Sequence, residues 1–138
     1  MLMNIHPYLT GDLLRHLDAM GHGDTVVLAD AHFPAARTAA AHGRILDFPG
    51  VTTPGLLAAI RTVIPLDEHE TALYLMSSPD GRLPVQDELI GAAGAQAKDV
   101  RELQRGDFYT AAEAGFLVIR TGETRTYGNA ILRKGVVS

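Results

Sequence analysis

Residues 25–30, Thr-Val-Val-Leu-Ala-Asp, decide the fold. A short apolar run rich in β-branched residues reads as a strand, and without polar alternation it reads as one covered on both faces. Just upstream, Thr10 can cap a helix running to Met20, with Leu13, Leu14, Leu17 and Met20 on one face and Gly21 as its stop. A helix feeding a doubly covered strand is the unit of an α/β protein. Further helices are predicted from Thr53-Pro54 (Leu56, Leu57, Ile60 and Ile64 inward), from Pro84 to about Ala97, and over Asp107–Ala114. Further strands are predicted over residues 44–48, 72–76, 100–104, 116–120 and 130–133. The alternation predicts one α/β domain over residues 1–138, a central, mostly parallel sheet with helices packed on its faces.

The composition agrees with a single soluble domain: 138 residues, 46% hydrophobic and 20% charged. The absence of cysteine excludes disulfide frameworks, thiolate nucleophiles, Cys-ligated zinc and iron–sulfur clusters. Twelve Lys and Arg against sixteen Asp and Glu leave a formal charge of −4, which argues against nucleic-acid and membrane-surface partners. Residues 1–7 carry no basic n-region, so no signal peptide is expected, and no apolar run approaches the ~18 residues needed to span a bilayer. The expected location is the cytoplasm.

Six histidines are candidates for chemistry. His6 and His42 sit beside turn residues, His69 lies in a charged run, and His16 is on the polar side of the first helix. His22 differs, because it lies in Met20-Gly-His-Gly-Asp24 between a helix end and a buried strand. Flanking glycines let a ligand approach closely, and an imidazole can give and take a proton near neutral pH. The competing reading is an exposed helix-terminal turn. Asp30 ends the covered strand, where ligands gather in open α/β sheets, and could bind sugar hydroxyls, orient an imidazole or cap the next turn. His22, Asp30 and His32 together also allow a two-His, one-carboxylate metal set, although their spacing matches no motif. Residues 121–129, Thr-Gly-Glu-Thr-Arg-Thr-Tyr-Gly-Asn, offer the Tyr127 hydroxyl and ring, close approach at Gly128 and the Asn129 carboxamide, a set suited to a neutral polyhydroxyl ligand. Arg105 and Tyr109 straddle the start of the last predicted helix and could add a guanidinium fork and a stacking ring. Phosphate-binding glycine loops and the serine-hydrolase elbow are missing.

Three segments, Met20-Gly-His-Gly-Asp24, Leu28-Ala-Asp-Ala-His-Phe-Pro-Ala35 and Thr121-Gly-Glu through Tyr127-Gly-Asn-Ala-Ile-Leu-Arg-Lys-Gly-Val136, resemble the ribose-pyranase/fucose-mutarotase family of sugar-ring epimerases. Order, spacing and length fit over essentially the whole chain. Met-Gly-His-Gly-Asp, Tyr-Gly-Asn and Phe108-Tyr109 look closer to the L-fucose mutarotase branch than to the D-ribose pyranase branch. Ala36–Gly43, Asp47-Phe-Pro-Gly50 and residues 79–98 depart from the family pattern. The resemblance implies a mutarotase acting on a monosaccharide, with no metal or redox cofactor. It implies His22 as the acid/base residue, with Asp30 holding a hydroxyl or fixing the His22 tautomer. Arg105, Tyr109, Tyr127, Gly128 and Asn129 would bind the sugar, and Asp67 is a further hydroxyl contact. It also implies a homo-oligomer, commonly a decamer, with sites near subunit contacts. A D-ribose pyranase, a non-catalytic sugar-binding protein and a small His/Asp metal enzyme are the alternatives.

Overall fold

The computed structural model describes all 138 residues. In chain order the elements are α1 (Gly11–Ala19), β1 (Thr25–Ala29), α2 (Ala35–Thr38), β2 (Ile45–Phe48), α3 (Thr53–Arg61), β3 (Leu73–Met76), α4 (Pro84–Ala93), a 3-10 turn (Ala97–Asp99), β4 (Val100–Leu103), α5 (Arg105–Glu113), β5 (Leu117–Thr121) and β6 (Ala130–Arg133). The six strands form one sheet in the order β2-β5-β1-β6-β3-β4. The α/β class and the central sheet are as expected. Parallel pairs join β1 to β5, β2 to β5 and β3 to β4, while β6 runs antiparallel to both neighbours, so the sheet is mixed.

Alternation along β1 divides the core. Val26 and Leu28 face a large cluster with Leu13 and Leu17 of α1, Leu57 and Ile60 of α3, and Leu89 of α4. Val27 and Ala29 face a smaller one with Phe33, Ala39, and Phe108 and Ala112 of α5. All five β1 residues are buried, because helices cover both faces.

Differences at element ends have local causes. Thr10 does cap α1, accepting from the Leu13 N–H at 3.3 Å. The helix ends at Met20, which turns extended to bury its side chain, and the positive φ falls on Gly23 rather than Gly21. α3 starts at Thr53 as expected, capped by Thr52, which accepts from the Gly55 N–H. α4 stops before Gly94, which takes the left-handed conformation. α2 carried no sequence signal: one turn of Ala-Ala-Arg-Thr is too short to display an apolar stripe. α5 begins at Arg105, so Arg105 and Tyr109 share its first turns.

Candidate active site

The β5–β6 connection assembles one cluster. Because β1 lies between β5 and β6, residues 122–129 must cross over the carboxyl end of β1, where Asp30 sits. The crossing is pinned by the Ala31 N–H, which donates to the Glu123 carbonyl at 2.7 Å. At its far end Asn129 pairs with Asp30 twice. Its Oδ1 accepts from the Asp30 N–H at 2.7 Å, and its Nδ2 donates to Asp30 Oδ2 at 3.1 Å. Asp30 Oδ1 accepts from the N–H groups of His32 and Phe33, so this buried carboxylate is held on both oxygens. Beside it, Arg105 Nε donates to the Tyr109 hydroxyl at 3.1 Å, and the Tyr109 ring meets Phe33 edge-on. Asp30, His32, Phe33, Met76, Arg105, Tyr109, Thr126, Tyr127 and Asn129 line a cleft of about 190 Å³. Tyr127 has φ of 60°, a left-handed conformation that a bulky residue rarely adopts. Gly128 packs inward instead: a Cβ there would lie 2.9 Å from Glu123 Cγ and 3.3 Å from Val85.

A second cluster forms at the opposite end of β1. His22 sits in a turn that the end of β6 holds in place. Arg133 donates to the Gly23 carbonyl, the Gly23 N–H donates to the Lys134 carbonyl, and Lys134 Nζ donates to the carbonyls of Leu17 in α1 and of Met20 just after it. The next residue, Gly135, presses against the Leu66-Asp67 backbone and its N–H donates to the Pro65 carbonyl. β6 therefore brings two distant turns together, and His22 Nε2 meets Asp67 Oδ1 at 3.0 Å. Asp67 also accepts from the N–H groups of His69 and Glu70. Burial pushes its carboxyl pKa up, but the His22 hydrogen bond, the two N–H groups and the His22 charge outweigh this and leave it lowered. The His69 ring stands edge-on to His22 with centroids 5.6 Å apart.

Asp30, Arg105, Tyr109, Tyr127 and Asn129 thus come together, whereas His22 and Asp67 lie apart from them. The four residue steps of β1 alone span about 13 Å. Two expectations are corrected by this distance. Asp30 does not orient the His22 ring within the chain, because Asp67 occupies that position. The His22, Asp30 and His32 set is pulled apart, and the His32 ring bonds the Thr124 carbonyl instead. Sequence reasoning passed over His69, whose charged neighbours hid its place beside His22. It also passed over Glu123, which no motif marks as buried.

With this geometry in view, the RbsD / FucU transport protein family matches residues 3–137. The chain belongs to this family. Among its relatives, the L-fucose mutarotase of Glaesserella parasuis is 38% identical, over 99% of this chain and 96% of that protein. The crystal structure of a fucose mutarotase from Streptococcus pneumoniae in complex with L-fucose superposes with a TM-score of 0.88 at 34% identity, covering 99% of this chain and all of that one. Bacillus subtilis RbsD complexed with D-ribose, at a TM-score of 0.76 and 24% identity over 99% of this chain and all of that one, shares the fold. No helix of this RbsD/FucU-family chain is long and apolar enough to cross a membrane.

Proposed function

We propose that the chain is an isomerase that interconverts the anomers of L-fucose. The observation that carries this reading is the full-length likeness to a fucose mutarotase whose structure contains L-fucose. D-ribose pyranase is the more distant alternative.

Mutarotation breaks the bond between the anomeric carbon and the ring oxygen and remakes it on the other face of the aldehyde. A base takes the anomeric hydroxyl proton and an acid protonates the ring oxygen; reclosure reverses both transfers. In this reading His22 is the acid/base group. Asp67 engages Nε2 and so keeps the proton there, leaving Nδ1 to exchange with the sugar. The imidazole is 45% exposed, within reach of a ligand. Asp30, Arg105, Tyr109, Tyr127 and Asn129 hold hydroxyls and the ring face, with Gly128 closing the turn behind them. The second proton partner is Tyr109, Tyr127 or a bound water. A sugar that touches both clusters lies between two copies, so the reading includes a homo-oligomer, a decamer by family resemblance, whose neighbouring subunits each supply half a site. The cytoplasm is its expected location.

Saturation-transfer NMR on L-fucose, D-ribose, L-rhamnose and D-galactose tests this. L-fucose exchange should be accelerated most, and His22→Ala should slow it by about a hundredfold or more with the fold intact. Near-wild-type exchange in that variant would remove His22 from the chemistry. Saturable binding without acceleration would make the protein a sugar binder, and a preference for D-ribose would make it a pyranase.

A further inference from the structure

We propose that Arg125 is a positioning residue that presets the Tyr127–Asn129 turn for the ligand; the proposal rests on the cleft beside Asp30 being the sugar site. Arg125 does not line that cleft. Its guanidinium is instead forked between two carboxylates from different elements. Nε and Nη2 donate to Glu123 at 3.0 and 3.1 Å, and its own backbone N–H donates to the same carboxylate at 3.2 Å. Nη1 and Nη2 reach Glu88 on α4.

Glu123 is the buried half of this clamp, its side chain 3% exposed. Burial pushes its pKa up, yet the Arg125 hydrogen bonds and charge, with the Thr53 N–H at the start of α3, leave it lowered, so it stays ionised beneath the loop. Gly128 sits directly on this pair, since a Cβ there would meet Glu123 Cγ at 2.9 Å and the Arg125 carbonyl at 3.0 Å. The turn therefore closes on the clamp, and the residue before Gly128 is Tyr127 in its left-handed conformation. Such a conformation persists only where the surroundings over-determine it. α4 couples the clamp to the cleft a second way: Gln86 donates to the carbonyl of Met76, a lining residue, at 2.7 Å. The long fork of an arginine is needed, because a lysine has one point charge to share between two carboxylates.

The test combines amide hydrogen exchange over residues 122–129 with L-fucose exchange kinetics for wild type, Arg125→Lys and Arg125→Ala. Arg125→Ala should speed amide exchange in the loop and raise KM about tenfold, with kcat falling by less than KM rises, since His22 and Asp67 sit at the other end of β1. Arg125→Lys should fall between. Unchanged loop protection overturns the proposal, and so does a mobile loop with unchanged KM. A wild type inactive on L-fucose would sink the functional reading, while loop protection would still decide whether the clamp exists. If Arg125→Ala does not fold, Glu88→Gln replaces it: this half-exposed residue can be neutralised with little effect on stability, and a severalfold rise in KM is expected. An unchanged KM there also overturns the proposal.

Discussion

The Asp67 carboxylate is buried while its partner His22 is half exposed. Unpaired, a carboxyl in that place would be driven toward the neutral form. Three hydrogen bonds and the His22 charge reverse the balance, so its folded pKa lies below the ordinary 3.8. A lowered carboxylate pKa contributes stability that is complete above the unfolded value and disappears as pH falls through the folded one. Asp67→Asn keeps the shape but not the charge. It should lower kcat for L-fucose exchange by about tenfold or more, because a carboxamide can donate to Nε2 as well as accept from it and no longer holds the His22 proton there. It should also flatten the acid limb of a stability-against-pH curve below about pH 4. Wild-type kcat in this variant would separate Asp67 from the chemistry.

At the scale of elements, β6 does most to place functional groups. Its first neighbour, Asn129, pairs with Asp30, while Arg133 at its end and the two residues that follow, Lys134 and Gly135, hold the His22 turn against the Asp67 turn. The contact at Gly135 is the tightest of these, since a Cβ would fall 2.3 Å from the Leu66 carbonyl oxygen and 3.0 Å from the Asp67 nitrogen. Gly135→Ala should therefore destabilise the protein by about 1–3 kcal/mol and depress activity by moving Asp67 away from His22. Gly91→Ala, on the exposed side of the last turn of α4 with nothing within 4 Å of the added methyl, should instead stabilise by roughly 0.5–1 kcal/mol. Thermal melts of the two variants check both signs. The strand itself was legible in Ala-Ile-Leu-Arg; its antiparallel direction was not, because direction depends on which strand the preceding loop crosses.

At the scale of the whole molecule, the two clusters occupy opposite ends of one sheet. If neighbouring subunits join them, His22→Ala and Asn129→Ala each damage a different half of every site. Mixed, co-refolded oligomers of the two variants should recover L-fucose exchange that neither has alone, because some contacts then pair an intact His22 half with an intact Asn129 half. No recovery in mixed oligomers verified by mass spectrometry would mean that each site draws both halves from one chain.

Local pattern in the sequence determined the α/β class, the doubly covered β1, and nearly every helix and strand, since apolar periodicity and caps act over a few residues. The same short range made His22 stand out between two glycines and Asp30 at a strand end. Only the tertiary structure decided that Asp67 rather than Asp30 meets His22, that His69 stands beside it, and that Glu123 is buried under Arg125. Each of those contacts joins residues through the sheet order or through a turn folded back on itself. Strand order and the fate of a buried charge are set by packing across the molecule, where sequence spacing carries no distance.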